Sequence, residues 1–234
     1  MRIHPFEELD WQQTAMGDLT LRRRTDAALG VEIFEVKLGE EYLMSSLFTV
    51  AEEELATLGL AAVEGDLLEV LVGGLGLGYT AIAALRDSRV STMTVIDTMP
   101  AVIDWHQRGL LPVSSELTSD PRTSLVLDDF FAVMRREPEA ADPRYDAILL
   151  DVDHSPRHQL DPSHADLYTE QGLFALSRHL KPSGVFALWS DDPPDQEFMA
   201  MMALVFAEPA AHVVDFDNPL TGGVSSNTVY VAHT

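Results

Sequence analysis

Acidic residues in this chain recur directly after short apolar runs, in Val95-Ile96-Asp97, Val126-Leu127-Asp128-Asp129, Leu149-Leu150-Asp151-Val152-Asp153-His154 and Leu188-Trp189-Ser190-Asp191-Asp192. Another run, Leu71-Val72, passes into Gly73-Gly74-Leu75-Gly76-Leu77-Gly78. In an open α/β sheet, ligands bind beyond the carboxyl ends of the strands, so these segments are expected to meet in one crevice. The turn holding Gly74, Gly76 and Gly78 lets backbone pass close to a ligand at a helix N-terminus. Asp97, about 20 residues further on, can take both hydroxyls of a ribose. These four residues read as a nucleoside site. Of Asp128 and Asp129, one acid can accept from an adenine amino group, and either can instead cap the next helix. Asp151 is expected on the floor of the crevice, with Asp153 two residues further on the same side. A carboxylate there can desolvate an amine, aim it and take its proton. Asp153, His154 and Asp191 are the candidate substrate contacts, with a solvated turn as the alternative for Asp191 and Asp192.

The elements that must position these groups alternate in a βαβ pattern from Leu67 onward, which predicts a parallel sheet with helices on both faces. Strands are expected at Leu67 to Gly73, Thr92 to Asp97, Thr123 to Leu127, Tyr145 to Asp151 and Gly184 to Ser190, with a final pair at Ala211 to Phe216 and Thr228 to Ala232. Helices are expected at Tyr79 to Asp87, Ala101 to Leu110, Phe130 to Arg136 and Leu167 to Leu180. Alternation between Asp18 and Lys37 predicts a small N-terminal β-hairpin or meander. A helix from Phe48 to Leu60 follows, with Thr49 as its cap and Glu52 three residues on. The expected division is 1–62 for the β extension and linking helix, and 63–234 for the nucleoside-binding catalytic part.

The 234 residues carry 15 Lys and Arg against 38 Asp and Glu, a net charge of −23, and no Lys or Arg follows Lys181. Nucleic acid is not an expected partner. The field instead attracts cations such as protonated amines, although acidity also serves solubility. The absence of cysteine excludes disulfides, thiolate zinc sites and cysteine nucleophiles. No apolar run approaches the ~20 residues of a membrane span, and the N-terminus lacks a signal-peptide pattern, so a cytoplasmic location is the expectation. His154, His158 and His164 share a loop with several acids, but their irregular spacing argues against zinc. Asp151, Asp153, Asp191 and Asp192 also occupy places where Mg²⁺ can be held; no metal is the preferred expectation.

The order of glycine turn, Val-Ile-Asp at Asp97, Asp128 before an apolar helix, Tyr145-Asp146-Ala147-Ile148-Leu149-Leu150-Asp151 and then Leu167-Tyr168-Thr169 to Lys181-Pro182-Ser183-Gly184 resembles the spermidine synthase family. More broadly it is similar to the class I S-adenosylmethionine-dependent transferases. The resemblance covers about residues 66 to 190 and implies the Rossmann-like class I methyltransferase fold, with a small N-terminal β extension. It implies that Asp97 binds ribose, Asp128 binds adenine and Asp151 accepts a proton from, or orients, an attacking amine. The implied donor is decarboxylated S-adenosylmethionine, or S-adenosylmethionine itself, and the implied acceptor is a small cationic amine. A homodimer is compatible with this reading. The chain departs from the family at Leu77, where an Asp is usual, and at His154, where the second acid is usual, with Asp153 one place early. Aminopropyl transfer is the preferred reading. Its alternatives are methyl transfer to a small acceptor, with or without Mg²⁺, and a non-catalytic nucleoside-binding relative.

Overall fold

Leucines spaced two apart on one strand face, with arginines around them, organise the N-terminal part of the chain. In the computed structural model, which describes residues 6–14 and 17–234, β1 (Phe6–Thr14), β2 (Gly17–Thr25), β3 (Glu32–Leu38) and β4 (Glu41–Ser45) form an antiparallel meander. Leu19 and Leu21 of β2 are buried with Phe34 and Val36 of β3, and this face joins the core beneath it. On the other side, Arg22 and Arg24 reach the buried Glu35 carboxylate at 2.8 and 3.0 Å. The meander is thus longer than the alternation between Asp18 and Lys37 predicts, because β1 carries mostly polar and charged residues with no apolar period.

The second sheet is built from β5 (Leu68–Gly73), β6 (Val90–Asp97), β7 (Thr123–Leu127), β8 (Tyr145–Leu150), β9 (Leu180–Ser190), β10 (Ala207–Asn218) and β11 (Gly223–His233). Its order is β10-β11-β9-β8-β5-β6-β7, with β5 to β9 parallel and β11 antiparallel to both neighbours. Alternate residues of each central strand enter two separate cores, one per face: Val70, Val72 and Leu149 in one, Leu71, Ile148 and Leu150 in the other. Both faces are therefore covered, as an all-parallel centre requires. Connections leave β5 toward β6 and β7 on one side, while β8 and β9 lie on the other. The crevice for a ligand is at this reversal, beyond the ends of β5 and β8.

The helices are α1 (Val50–Ala61), α2 (Tyr79–Arg86), α3 (Pro100–Gln107), α4 (Ser114–Ser119), α5 (Phe130–Arg135), α6 (Glu170–Ser177) and α7 (Gln196–Val205). Helix α1 packs across β8, β9 and β11. Its close approach needs Gly59, where a Cβ would lie 2.7 Å from Leu149 Cδ2. Thr49 stands at the N-cap position but makes no side-chain cap, and its hydroxyl instead donates to Glu53 Oε1 at 3.2 Å. That leaves Glu52 outside the expected capping pair. The single helix expected from Leu167 to Leu180 is two elements, a 3-10 helix (Pro162–Tyr168) and α6. The break falls at Thr169, whose hydroxyl accepts from Gly172 N and starts α6 afresh.

Candidate active site

The glycine turn is shaped by contacts that only glycine permits. Gly74 has φ +92°, and a Cβ on it would sit 2.0 Å from the Asp151 carbonyl oxygen, so β5 and β8 can approach at their ends only because this side chain is missing. Gly78 caps α2 in the left-handed conformation. Asp97 braces the turn: its Oδ2 accepts from Leu75 N at 2.9 Å and its Oδ1 from Met99 N at 2.7 Å. Burial raises the Asp97 pKa, and these backbone donors oppose the rise. From beneath, His106 Nε2–H donates to the Gly76 carbonyl at 3.0 Å while Nδ1 accepts from the Ser114 hydroxyl at 3.3 Å. Burial lowers the His106 pKa and favours the neutral ring, and the Gly76 carbonyl, which can only accept, sets the tautomer.

Two cavities open from this point. The smaller, about 230 Å³, is walled by Gly74, Gly76, Asp97, Met99, Asp129 and Phe131 among others. Its shape, with a glycine turn on one side and an acid at the end of β6, suits a nucleoside. The larger, about 560 Å³, is walled by Glu52, Tyr79, Asp151, His154, Trp189 and Asp191, with Phe216 and Asn227 from the β10–β11 hairpin. Among the described residues no Lys or Arg lines it. Asp151 belongs to the walls of both cavities.

The electrostatics of the larger cavity follow from three acids without a Lys or Arg beside them. Desolvation pushes the Asp151 carboxyl up to about 6, against the lowering effect of the Thr80 hydroxyl, which donates to Oδ2 at 2.6 Å. Glu52 is pushed up to about 8, first by burial and then by the Asp151 charge. Like charges this close titrate as a pair, and of the two Glu52 is raised the further from its ordinary value. Across the cavity Asp191 Oδ1 accepts from Asn227 Nδ2 at 2.7 Å. Trp189 buries its indole N–H with no hydrogen-bond partner among the described residues.

The remaining acids are placed differently from the expectation. Asp153 is 1% exposed and lines neither cavity. Its carboxylate accepts from Leu160 N (2.8 Å), His164 Nδ1 (2.8 Å) and Tyr168 Oη (2.7 Å). The i, i+2 rule fails here because β8 ends at Leu150 and the chain then bends. Asp153 thereby sets His164, which stacks on Phe131 at 3.7 Å in the nucleoside wall. Asp128 is exposed and turned onto the Asp129 backbone N–H. Asp129 is the acid in the cavity wall, and it also caps α5 by accepting from Ala132 N. His154 lines the larger cavity and contacts Glu41 Oε1 at 3.1 Å, which ties the loop after β8 to the N-terminal sheet. Asp192 faces away and is held low by the Ser155 hydroxyl, with His158 adding to the effect. Among the described residues no group of three or more His, Asp or Glu is arranged to hold a metal ion, and no helix is long and apolar enough to cross a membrane. Glu52 and His106 went unread as site residues, because neither follows a strand and Glu52 reads as the partner of a capping Thr49.

Residues 49–217 match the spermine/spermidine synthase domain, most of the chain and all five parallel strands of the large sheet. The chain belongs to the spermine/spermidine synthase family. It is 32% identical over 130 residues to a polyamine aminopropyltransferase of Prochlorococcus marinus, covering 55% of this chain and 42% of that protein. It is 28% identical over 133 residues to putrescine N-methyltransferase 3 of Nicotiana tabacum, covering 57% and 32%. The chain thus spans about two fifths or less of the length of these curated relatives. A crystal structure of spermidine synthase in complex with the transition-state analogue AdoDATO superposes with a TM-score of 0.75 at 18% identity, covering 97% of this chain and 73% of that one. Spermidine synthase from Thermotoga maritima gives a TM-score of 0.72 at 18% identity, covering 97% and 72%. The Rossmann-like class I fold expected from the sequence is the fold of this family, and the small N-terminal sheet falls within the superposed length.

Proposed function

We propose that the chain transfers the aminopropyl group of decarboxylated S-adenosylmethionine to a small amine. The observation that carries this reading is the position of Asp151, shared by a nucleoside-shaped cavity and an acidic cavity. Transfer from a sulfonium requires the nucleophile and the S–C bond to meet in line at a few ångströms, and the junction of the two cavities is where they can meet. The donor's adenosine is read against Gly74, Gly76, Asp97 and Asp129, and the amine against Asp151 and Asp191.

An alkylammonium has a reference pKa near that of Lys, about 10.4, so it arrives protonated. Asp151, raised to about 6, is mostly ionised at pH 7 and still basic enough to take one proton from the ammonium. The freed nitrogen lone pair then forms the N–C bond. The S–C bond breaks with its electron pair staying on sulfur, which leaves neutral methylthioadenosine and a secondary ammonium product. One proton is released overall, and Asp151 is its first carrier.

Similarity to the Nicotiana putrescine N-methyltransferases supports a second reading, methyl transfer to an amine from S-adenosylmethionine in the same cavity. Incubation with either donor and a panel of amines, read by mass spectrometry, separates them. Methylthioadenosine from the decarboxylated donor, unaffected by EDTA, is the expected product. S-adenosylhomocysteine from the full donor would replace the proposal by methyl transfer. Binding of methylthioadenosine without turnover of either donor would replace it by a nucleoside-binding role.

A further inference from the structure

Glu52 stands in the first turn of α1 and lines the larger cavity beside Asp151. Thr80 sits between the two, its hydroxyl 2.6 Å from Asp151 Oδ2 and 3.2 Å from the Glu52 carbonyl oxygen. The neighbouring Glu53 is neutralised by Arg86 at 2.6 Å. Glu52 has no such partner: among the described residues its carboxyl receives only its own backbone N–H. We propose that Glu52 is a substrate-contacting carboxylate that closes, with Asp151, around the ammonium group of a cationic substrate, so that two acids hold one cation between them.

This inference rests on the reading of the cavity as an amine-transfer site. The groups that face Glu52 are Asp151 after β8, Asp191 after β9, Glu53 on its own helix and the Tyr79 hydroxyl at the start of α2. His154, paired with Glu41, lies in the same wall. None of these is a fixed cation. A half-buried carboxyl among acids is costly as an anion, which favours its protonated form until a positive charge arrives. A bound ammonium supplies that charge and displaces the proton. A neutral hydroxyl acceptor does not, so the pair selects amines over alcohols. The wall that the glycine turn gives to this cavity carries only Leu75 and Leu77 beside Gly76 and Gly78, which leaves Glu52 and Asp151 as the carboxylates on that side.

Calorimetry in buffers of different ionisation enthalpy tests this directly, with 1,3-diaminopropane, 1,4-diaminobutane and spermidine as probes and methylthioadenosine present. At pH 7 the wild-type protein is expected to bind at least one of them and to release up to about one proton. Glu52→Gln is expected to bind the same amine about 10- to 100-fold more weakly, the range for a charge-assisted contact, with proton release abolished and methylthioadenosine affinity kept. Wild-type binding without proton release, or a Glu52→Gln protein that binds and releases as the wild type does, overturns the inference even if the enzyme turns amines over. Binding with Glu52-dependent proton release but no product from either donor keeps the inference and removes the transfer reading. Failure of all three amines to bind overturns both.

Discussion

The Thr80 hydroxyl lies 2.6 Å from Asp151 Oδ2, joining the first turn of α2 to the residue that follows β8. A hydroxyl has one proton, and the shorter contact shows that Asp151 receives it rather than the Glu52 carbonyl at 3.2 Å. This bond favours the ionised form of Asp151 and opposes the burial that raises it.

Thr80→Val removes that donor while keeping the side-chain volume. The Asp151 carboxyl then rises above about 6, so less of it is ionised at neutral pH. The acid limb of kcat/KM is expected to move to higher pH by about one unit, with a loss of about 2-fold at pH 7 and about 5-fold at pH 6 that is recovered by pH 8.5. A pH–rate profile of the variant checks this. A loss that is the same at every pH would mean that Thr80 serves only packing.

Asp97→Asn keeps one acceptor for the turn but removes the negative charge beside the nucleoside cavity. Methylthioadenosine affinity is expected to fall about 10- to 100-fold, the range for a hydrogen bond to a charged group. Because Asp97 also holds Leu75 N and Met99 N, melting is expected to come down by ~2–6 °C. Calorimetry and a thermal scan on the same sample read both. Wild-type affinity in the folded variant would take Asp97 out of the nucleoside site.

Glu52 carries a stability cost that depends on pH. Its carboxyl is raised from 4.5 to about 8 in the folded protein, so between those values the folded state binds the proton more tightly than the unfolded chain. The unfolded state thus holds fewer protons over that window, and the Glu52 contribution to stability falls as pH rises from about 4.5 through about 8. Glu52→Gln removes this dependence. Its melting temperature is expected to match the wild type near pH 5 and to exceed it by ~3–6 °C at pH 8.5, equivalent to ~1–2 kcal/mol after allowing for solvent in the open cavity. Parallel melting curves across the pH range would show that Glu52 is not held protonated.

The five parallel strands of the large sheet, β5 to β9, were legible because buried parallel strands read as apolar runs, and the acids at their ends marked the crevice. Beyond the strand ends the reading weakened. Asp153 follows the alternation rule only while the chain is extended, and it bends after Leu150. Asp128 and Asp129 differ by one position, too little for sequence to tell which turns into the cavity. Helix α4, with the sequence Ser-Ser-Glu-Leu-Thr-Ser, has one apolar residue and no period to detect. Glu52 looked like half of a capping box because Thr49 stands three residues before it, and its true neighbour, Asp151, is 99 residues away along the chain.

The central claim is that Asp151, at the junction of the two cavities, takes the proton of the attacking amine. Single-turnover measurement on Asp151→Asn with bound decarboxylated S-adenosylmethionine tests it most directly, since Asn keeps the shape but not the basicity. The expected result is a chemical step slowed ~10²–10⁴-fold with donor affinity within a few-fold of the wild type. A variant that forms methylthioadenosine and the aminopropylated amine at the wild-type rate would contradict the assignment.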